Sequence, residues 1–161
     1  MLSWENRPVE IAYLLNPPFC GEVLRRCFFS YENESLKPFP FPLSFLVLPL
    51  ILHKKTREKF SLKTRDSLDA WIHKNQEIRI GFSERAKELI PITNEALIFL
   101  FQSGNLRIGK EGLLELKNYQ PKSIKEENEV SECFKKSQKV GTWFSNAGNA
   151  TSVFTILGVR P

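Results

Sequence analysis

A chain of 161 residues with 42% hydrophobic content and a formal charge of +5 can bury roughly 70% of its unfolded surface and needs neither metal nor disulfide to hold a core. Its three cysteines, Cys20, Cys27 and Cys133, are an odd count in no metal-ligand spacing, which argues against a secreted disulfide framework and for a reducing cytoplasm. The first residues lack a basic stretch followed by an apolar one, so no signal peptide is expected, and the modest cationic excess permits contact with nucleic acid or an acidic protein surface without demanding either.

Residues 6–16 read as a first short helix, with Pro8 early in it and Ile11, Leu14 and Leu15 on one face. Asn16 then caps a second helix, with proline in its first turn and an apolar stripe of Phe19, Val23, Leu24, Cys27, Phe28 and Tyr31. ENESLKPFPFP, residues 32–42, reads as a linker whose alternating prolines forbid helix and favour an extended path. The most apolar segment, LSFLVLPLILH at 43–53, is short of the roughly 20 residues a spanning helix needs and is interrupted by Pro49, so it predicts a buried central helix and no membrane segment. Lys54, Lys55 and Arg57 then suit the negative end of its dipole.

Residues 64–117 read as a winged-helix-like unit. Thr64 would cap a helix over 64–75 that gathers Leu68, Trp71 and Ile72 on one face. A short strand over 78–82 follows. Ser83 would open a second helix that must end near Pro91, because proline lacks the amide that continuing requires. A third helix restarts at Thr93 and stops at Gly104, and LRIGKEGLLELK, 106–117, alternates around Gly109 and Gly112 as a hairpin, the wing. In DNA-binding proteins of this architecture the third helix lies in the major groove. Here that helix, TNEALIFLFQSG, contains no lysine or arginine, and Leu97 to Phe101 are apolar on nearly all sides. The pattern implies burial on more than one face, either wholly within the chain or also against another surface, and argues against base readout.

After the wing, NYQPKSIKEENE is a polar connector. A long helix over about 127–146 carries Val130, Cys133, Phe134, Gly141 and Phe144, with small Ser137 and Gly141 allowing close approach of a neighbouring backbone. The tail repeats helical spacing at Val153, Phe154, Ile156 and Leu157 and stops at Gly158. The fold class expected is therefore mainly α with a small β-hairpin. One domain over 1–161 would hold N-terminal helices over 1–60, the winged-helix-like core and C-terminal helices over 126–161.

The motifs for chemistry fail on context. GNLRIGKE, 104–111, matches a phosphate-binding loop up to Lys110, then places Glu111 where a hydroxyl should bind magnesium, and it joins a helix to a hairpin. His53 and His73 fall at the ends of predicted helices, where a cation complements the dipole, and no carboxylate or cysteine cluster accompanies either. Asp66 and Asp69 read as solubilising acids. No catalytic residue, metal or cofactor is expected. The cationic clusters at 25–26, 53–59 and 135–139 read first as solvated helix faces; Lys54, Lys55, Arg57, Arg107, Lys110 and Lys117 are the candidates for contact with a nucleic-acid backbone.

Taken in order, WENRPVEIAYLLNPPFC, LSFLVLPLILHKKTRE, IGFSERAKELIPITNEALIFL and GTWFSNAGNATSVFTILGVRP resemble the middle component of bacterial three-component ABC-ATPase systems, a group that includes the small subunit of Lamassu-type anti-phage defence. The resemblance spans nearly the whole chain. It implies a non-enzymatic cytoplasmic adaptor bridging an SMC-like or Rad50-like ABC ATPase and an effector, often a nuclease, with non-specific DNA contact through the complex as a further expectation. It carries over no catalytic residues, only signature positions: Trp4, Glu5, Asn6, Arg7, Pro8, Asn16, Pro17, Gly158, Val159, Arg160 and Pro161. Trp4 and Arg7 combine a flat apolar area with a planar cation, a pairing found at interface hot spots, although tryptophan packs cores equally well. The candidate partner contacts are Trp4, Arg7, Pro8, Ile98, Phe101, Trp143 and Arg160. The competing reading is a stand-alone winged-helix DNA-binding regulator that uses the wing and the basic faces.

Overall fold

The computed structural model describes residues 15–160; most of the expected first helix, with Trp4, Arg7 and Pro8, lies outside them. Helix α1, Pro17–Ser35, begins where the sequence predicts: the Asn16 side chain accepts a hydrogen bond from the Phe19 amide at 2.7 Å, and proline occupies the first turn, where no amide donor is needed. It runs past the expected boundary, through Ser35, because the prolines at 38, 40 and 42 constrain only themselves and the residue before each. It ends at Leu36, in the left-handed region with φ 59°.

The extended path expected for the prolines is a strand, β1, Phe39–Pro40. It pairs antiparallel with β3, Leu113–Leu116, which also pairs with β2, Leu106–Ile108, giving the order β1-β3-β2. The hairpin is as the sequence predicts, with Leu106 opposite Leu116 and Ile108 opposite Leu114. The third strand is not. Residues 78–82, expected to be extended, instead close a 3-10 turn, Gln76–Arg79, and enter a helix through Gly81 at φ 72°. Phe39 and Pro40 take the sheet edge, where proline's missing amide leaves no ladder bond unmade.

Helix α2, Ser44–Ile51, is the buried central helix: Leu46, Val47, Leu48, Leu50 and Ile51 are all sequestered despite Pro49 within it. It does not extend into the cationic cluster. His53 turns extended and caps a separate short helix, α3, Lys54–Arg57, its Nδ1 accepting from the Thr56 amide at 3.3 Å. Helix α4, Leu68–Lys74, starts at Ser67 and not at Thr64. Both residues can cap, but Lys139 Nζ lies 3.1 Å from both Thr64 Oγ1 and Asp66 Oδ1, holding that stretch off the helical path. Helix α5, Phe82–Glu88, is followed directly by α6, Ile90–Gln102. Pro91 opens α6 instead of only terminating α5, so the third helix starts earlier than Thr93.

Helix α7, Glu129–Asn146, is capped by Asn128, whose side chain accepts from the Ser131 amide at 2.9 Å. It lies close along α1. The Ser137 hydroxyl donates to the Val23 carbonyl, and a Cβ added at Gly141 would sit 3.0 Å from the Cys27 carbonyl carbon and 3.0 Å from Ser30 Cβ. The small residues at these positions set the distance between the two helices. Helix α8, Ala150–Leu157, is capped by Asn149 and stopped by Gly158 at φ 72°. A contiguous apolar cluster runs from Cys20 to Leu157 through all three strands' neighbourhood, and it includes Phe39, Leu106 and Leu114. The protein is thus mainly helical with a small antiparallel sheet.

Candidate partner-binding surface

Helix α6 buries one side against α1 and the hairpin. Ile92, Thr93, Ala96, Leu97 and Leu100 are sequestered, and Phe99 and Phe101 are half-buried against the same core. Its outward side presents Asn94, Gln102 and Ile98, the last 53% exposed, and no cation. The candidate contact Ile98 is therefore at the surface, whereas Phe101 contributes mostly to packing.

The cations are distributed unevenly in their availability. Lys55, Lys110 and Lys117 are exposed, and Lys54 is exposed with only a distant partner, Glu58 at 3.9 Å. Arg107 is paired across the hairpin with Glu115 at 2.6 Å, and the Glu115 side chain lies over Gly109, its Cγ 3.1 Å from where a Cβ would stand. Arg57 does not belong with a nucleic-acid surface. It is 2% exposed, donates from Nη1 to the Ile51 carbonyl at 2.7 Å and from Nη2 to Glu129 at 2.8 Å, and joins Lys136 around Glu132. Burial leaves its guanidinium no reach towards a phosphate.

Trp143 is likewise interior. It is 2% exposed, its indole N–H donates to the Asp66 carbonyl at 2.8 Å, and its ring meets Trp71 at 4.9 Å and Phe60 at 5.1 Å. Three aromatic rings from 60, 71 and 143 form one knot that ties α7 to α4. A tryptophan identity carries no mark that separates this role from an interface.

Titratable chemistry follows burial. The Cys27 thiol is pushed well up by burial, and Cys133 is pushed up to about 11, chiefly by burial, with nearby Arg57 opposing. The Tyr119 phenol is raised by burial and by its 2.5 Å hydrogen bond to Glu22. His53 is held below the ordinary imidazole value by burial and by Arg85 and Lys55, consistent with its acting as a neutral cap. Among the described residues no group of three or more histidine, cysteine or acidic side chains could hold a metal ion, and no helix is long and apolar enough to cross a membrane.

One feature was invisible in the sequence. Residues 41–46, α5, the start of α6 and the end of α8 enclose a groove of about 630 Å³. Its walls are Phe41, Phe45, Ile90 and Val159, its floor includes Leu46 and Phe154, and Lys87 and Arg160 stand in its lining. Arg160, a candidate contact, is thus brought beside exposed apolar side chains; Ile98 and Phe101 do not line this groove.

The family described as the ABC-three component (ABC-3C) system Middle Component 3 matches residues 4–161. No curated protein and no solved structure matches the chain. A match from the tryptophan at position 4 to the last residue covers every element described above, and the chain belongs to the Middle Component 3 family of ABC-three component systems.

Proposed function

We propose that this middle component is a non-enzymatic cytoplasmic adaptor that bridges an SMC-like or Rad50-like ABC ATPase and an effector, a nuclease in the favoured case, in an anti-phage defence complex of the Lamassu type. The observation that carries the reading is the family match over residues 4–161. The α6 surface supports it. Helix α6, the third helix of the expected winged-helix-like unit, offers Asn94, Ile98 and Gln102 on its outward side where base-reading helices present cations. The buried, raised thiols of Cys27 and Cys133 support an absence of nucleophilic chemistry at those positions. Ile98 and Arg160, with Trp4, Arg7 and Pro8 of the N-terminal stretch, are the proposed partner contacts.

Lys54, Lys55, Lys110 and Lys117 serve at most as contacts to DNA backbone within the complex. The isolated chain should bind duplex weakly and without sequence preference, its affinity falling steeply with salt. The test of the adaptor role is co-expression of the chain with the ATPase and effector of its own system, followed by affinity purification through a tag on the chain. Both components co-elute if the reading holds. A chain that leaves both behind, and instead selects one duplex over random sequence by a thousandfold or more, would be a DNA-binding regulator.

A further inference from the structure

We propose that the groove between residues 41–46, α5 and the end of α8 docks an acidic amphipathic segment of the ATPase or effector component, whose apolar ridge sits on Phe41, Phe45, Ile90 and Val159 while its carboxylates meet Lys87 and Arg160. The inference rests on the adaptor reading and names the site and the chemistry of the contact.

The groove has the anatomy of an interface, an apolar centre with a charged rim. Phe41 is 38% and Ile90 40% exposed, whereas Leu46, Ala86 and Phe154 beneath them are buried. The wall is set in place: the Phe41 and Phe45 rings meet edge to face at 5.3 Å, and α8 stops at Gly158 so that Val159 and Arg160 turn along the groove. Among the described residues of the lining the only charged ones are Lys87 and Arg160, and none is a carboxylate. Arg57, Lys136 and Lys139, by contrast, are matched by Glu129, Glu132 and Asp66. Among the described residues Lys87 and Arg160 have no ion-pair partner.

That combination selects among occupants. A second copy of the chain carries the same net charge of +5 and would set like charge against the rim. A nucleic-acid backbone needs a run of cations and gains nothing from phenylalanine and isoleucine at the centre. A small polar metabolite would want polar groups converging inside, and the described residues of the lining offer a single side-chain hydroxyl, Ser83. An amphipathic helix or strand with acidic flanks satisfies both the apolar centre and the two cations, the mode in which apolar anchors one turn apart enter a groove.

The test uses the three components co-purified, with the binding of each to the chain measured separately. Lys87→Glu combined with Arg160→Glu, and separately Ile90→Glu, should weaken binding to one component at least about tenfold, with the melting temperature of the chain unchanged. A Lys63→Glu variant, exposed and away from the groove, should bind as the wild type does. A photo-crosslinker placed at position 41 should join the chain to an acidic, apolar-ridged segment of that same component. Wild-type binding that survives both groove variants overturns the groove while leaving the adaptor reading intact; wild-type chain that binds neither component overturns both. Crosslinks confined to a second copy, to the chain's own N-terminal residues or to DNA also overturn the proposal.

Discussion

Gly141→Ala isolates what sets the spacing of the two longest helices. In an open helix this change stabilises by about 1 kcal/mol, because alanine gives up less backbone freedom. Here the added methyl would press on the Cys27 carbonyl group, 3.0 Å from its carbon, and on Ser30 Cβ at 3.0 Å. Those atoms belong to the middle of α1, which cannot yield locally: one turn away, Val23 is held by the Ser137 hydroxyl. Overpacking of this kind costs about 1–3 kcal/mol. With backbone as the obstructing group we take the upper end, so about 3 kcal/mol lost against about 1 gained leaves a net destabilisation near 2 kcal/mol. For a chain of this size that lowers the melting temperature by roughly 4–8 °C. Urea and thermal unfolding followed by far-ultraviolet circular dichroism, and by the fluorescence of Trp71 and Trp143, would measure it. Thr142→Ala, on the same helix with a hydroxyl that bonds only back to Gln138 at 3.4 Å, should be neutral or stabilising. A Gly141→Ala protein more stable than wild type would refute the close approach.

Arg57→Met should destabilise by about 3 kcal/mol, since it strips buried donors from Ile51 and Glu129, and should leave the weak DNA affinity of the folded chain unchanged; a DNA defect without a folding defect would reverse the assignment. Burial raises Asp66, but hydrogen bonds from Thr64 and Lys139 and the Lys139 charge outweigh it and hold the carboxyl below its ordinary value. A depressed folded pKa means that this stability is complete above the unfolded value of about 4 and is lost as the pH falls through the folded one. Urea unfolding at pH 7, 4 and 3 should therefore show a shallower acid loss in Asp66→Asn than in wild type, and equal slopes would remove the clamp from the account. All three cysteines are buried and free, so an aromatic disulfide reagent should titrate them only on the unfolding timescale in native buffer and at once in denaturant; a rapidly reacting native thiol would reopen nucleophilic catalysis.

Where local chemistry decides, the sequence was informative. The Asn16 cap, the small faces at Ser137 and Gly141, the hairpin around Gly109 and Gly112 and the stop at Gly158 each follow from residues within a turn or two. The departures come from distant partners. Thr64 and Ser67 are both able caps, and Lys139 on α7 settles which one starts α4. Phe39 and Pro40 form a strand only because β3 arrives alongside them. Pro91 can end one helix or begin the next, and it opens α6 directly after α5. Arg57 and Trp143 were placed at surfaces because a cation and an indole suit them, and their burial depends on Glu129 and on the rings of Phe60 and Trp71. The groove was the least legible feature, since three separated segments build it and none of them carries a motif.

The adaptor account stands most directly on the affinity between the ATPase and effector components, measured by calorimetry or interferometry with and without this chain. Bridging predicts that adding the chain tightens their association at least about tenfold, a coupling of about 1.4 kcal/mol. Components that associate equally well in its absence would contradict it.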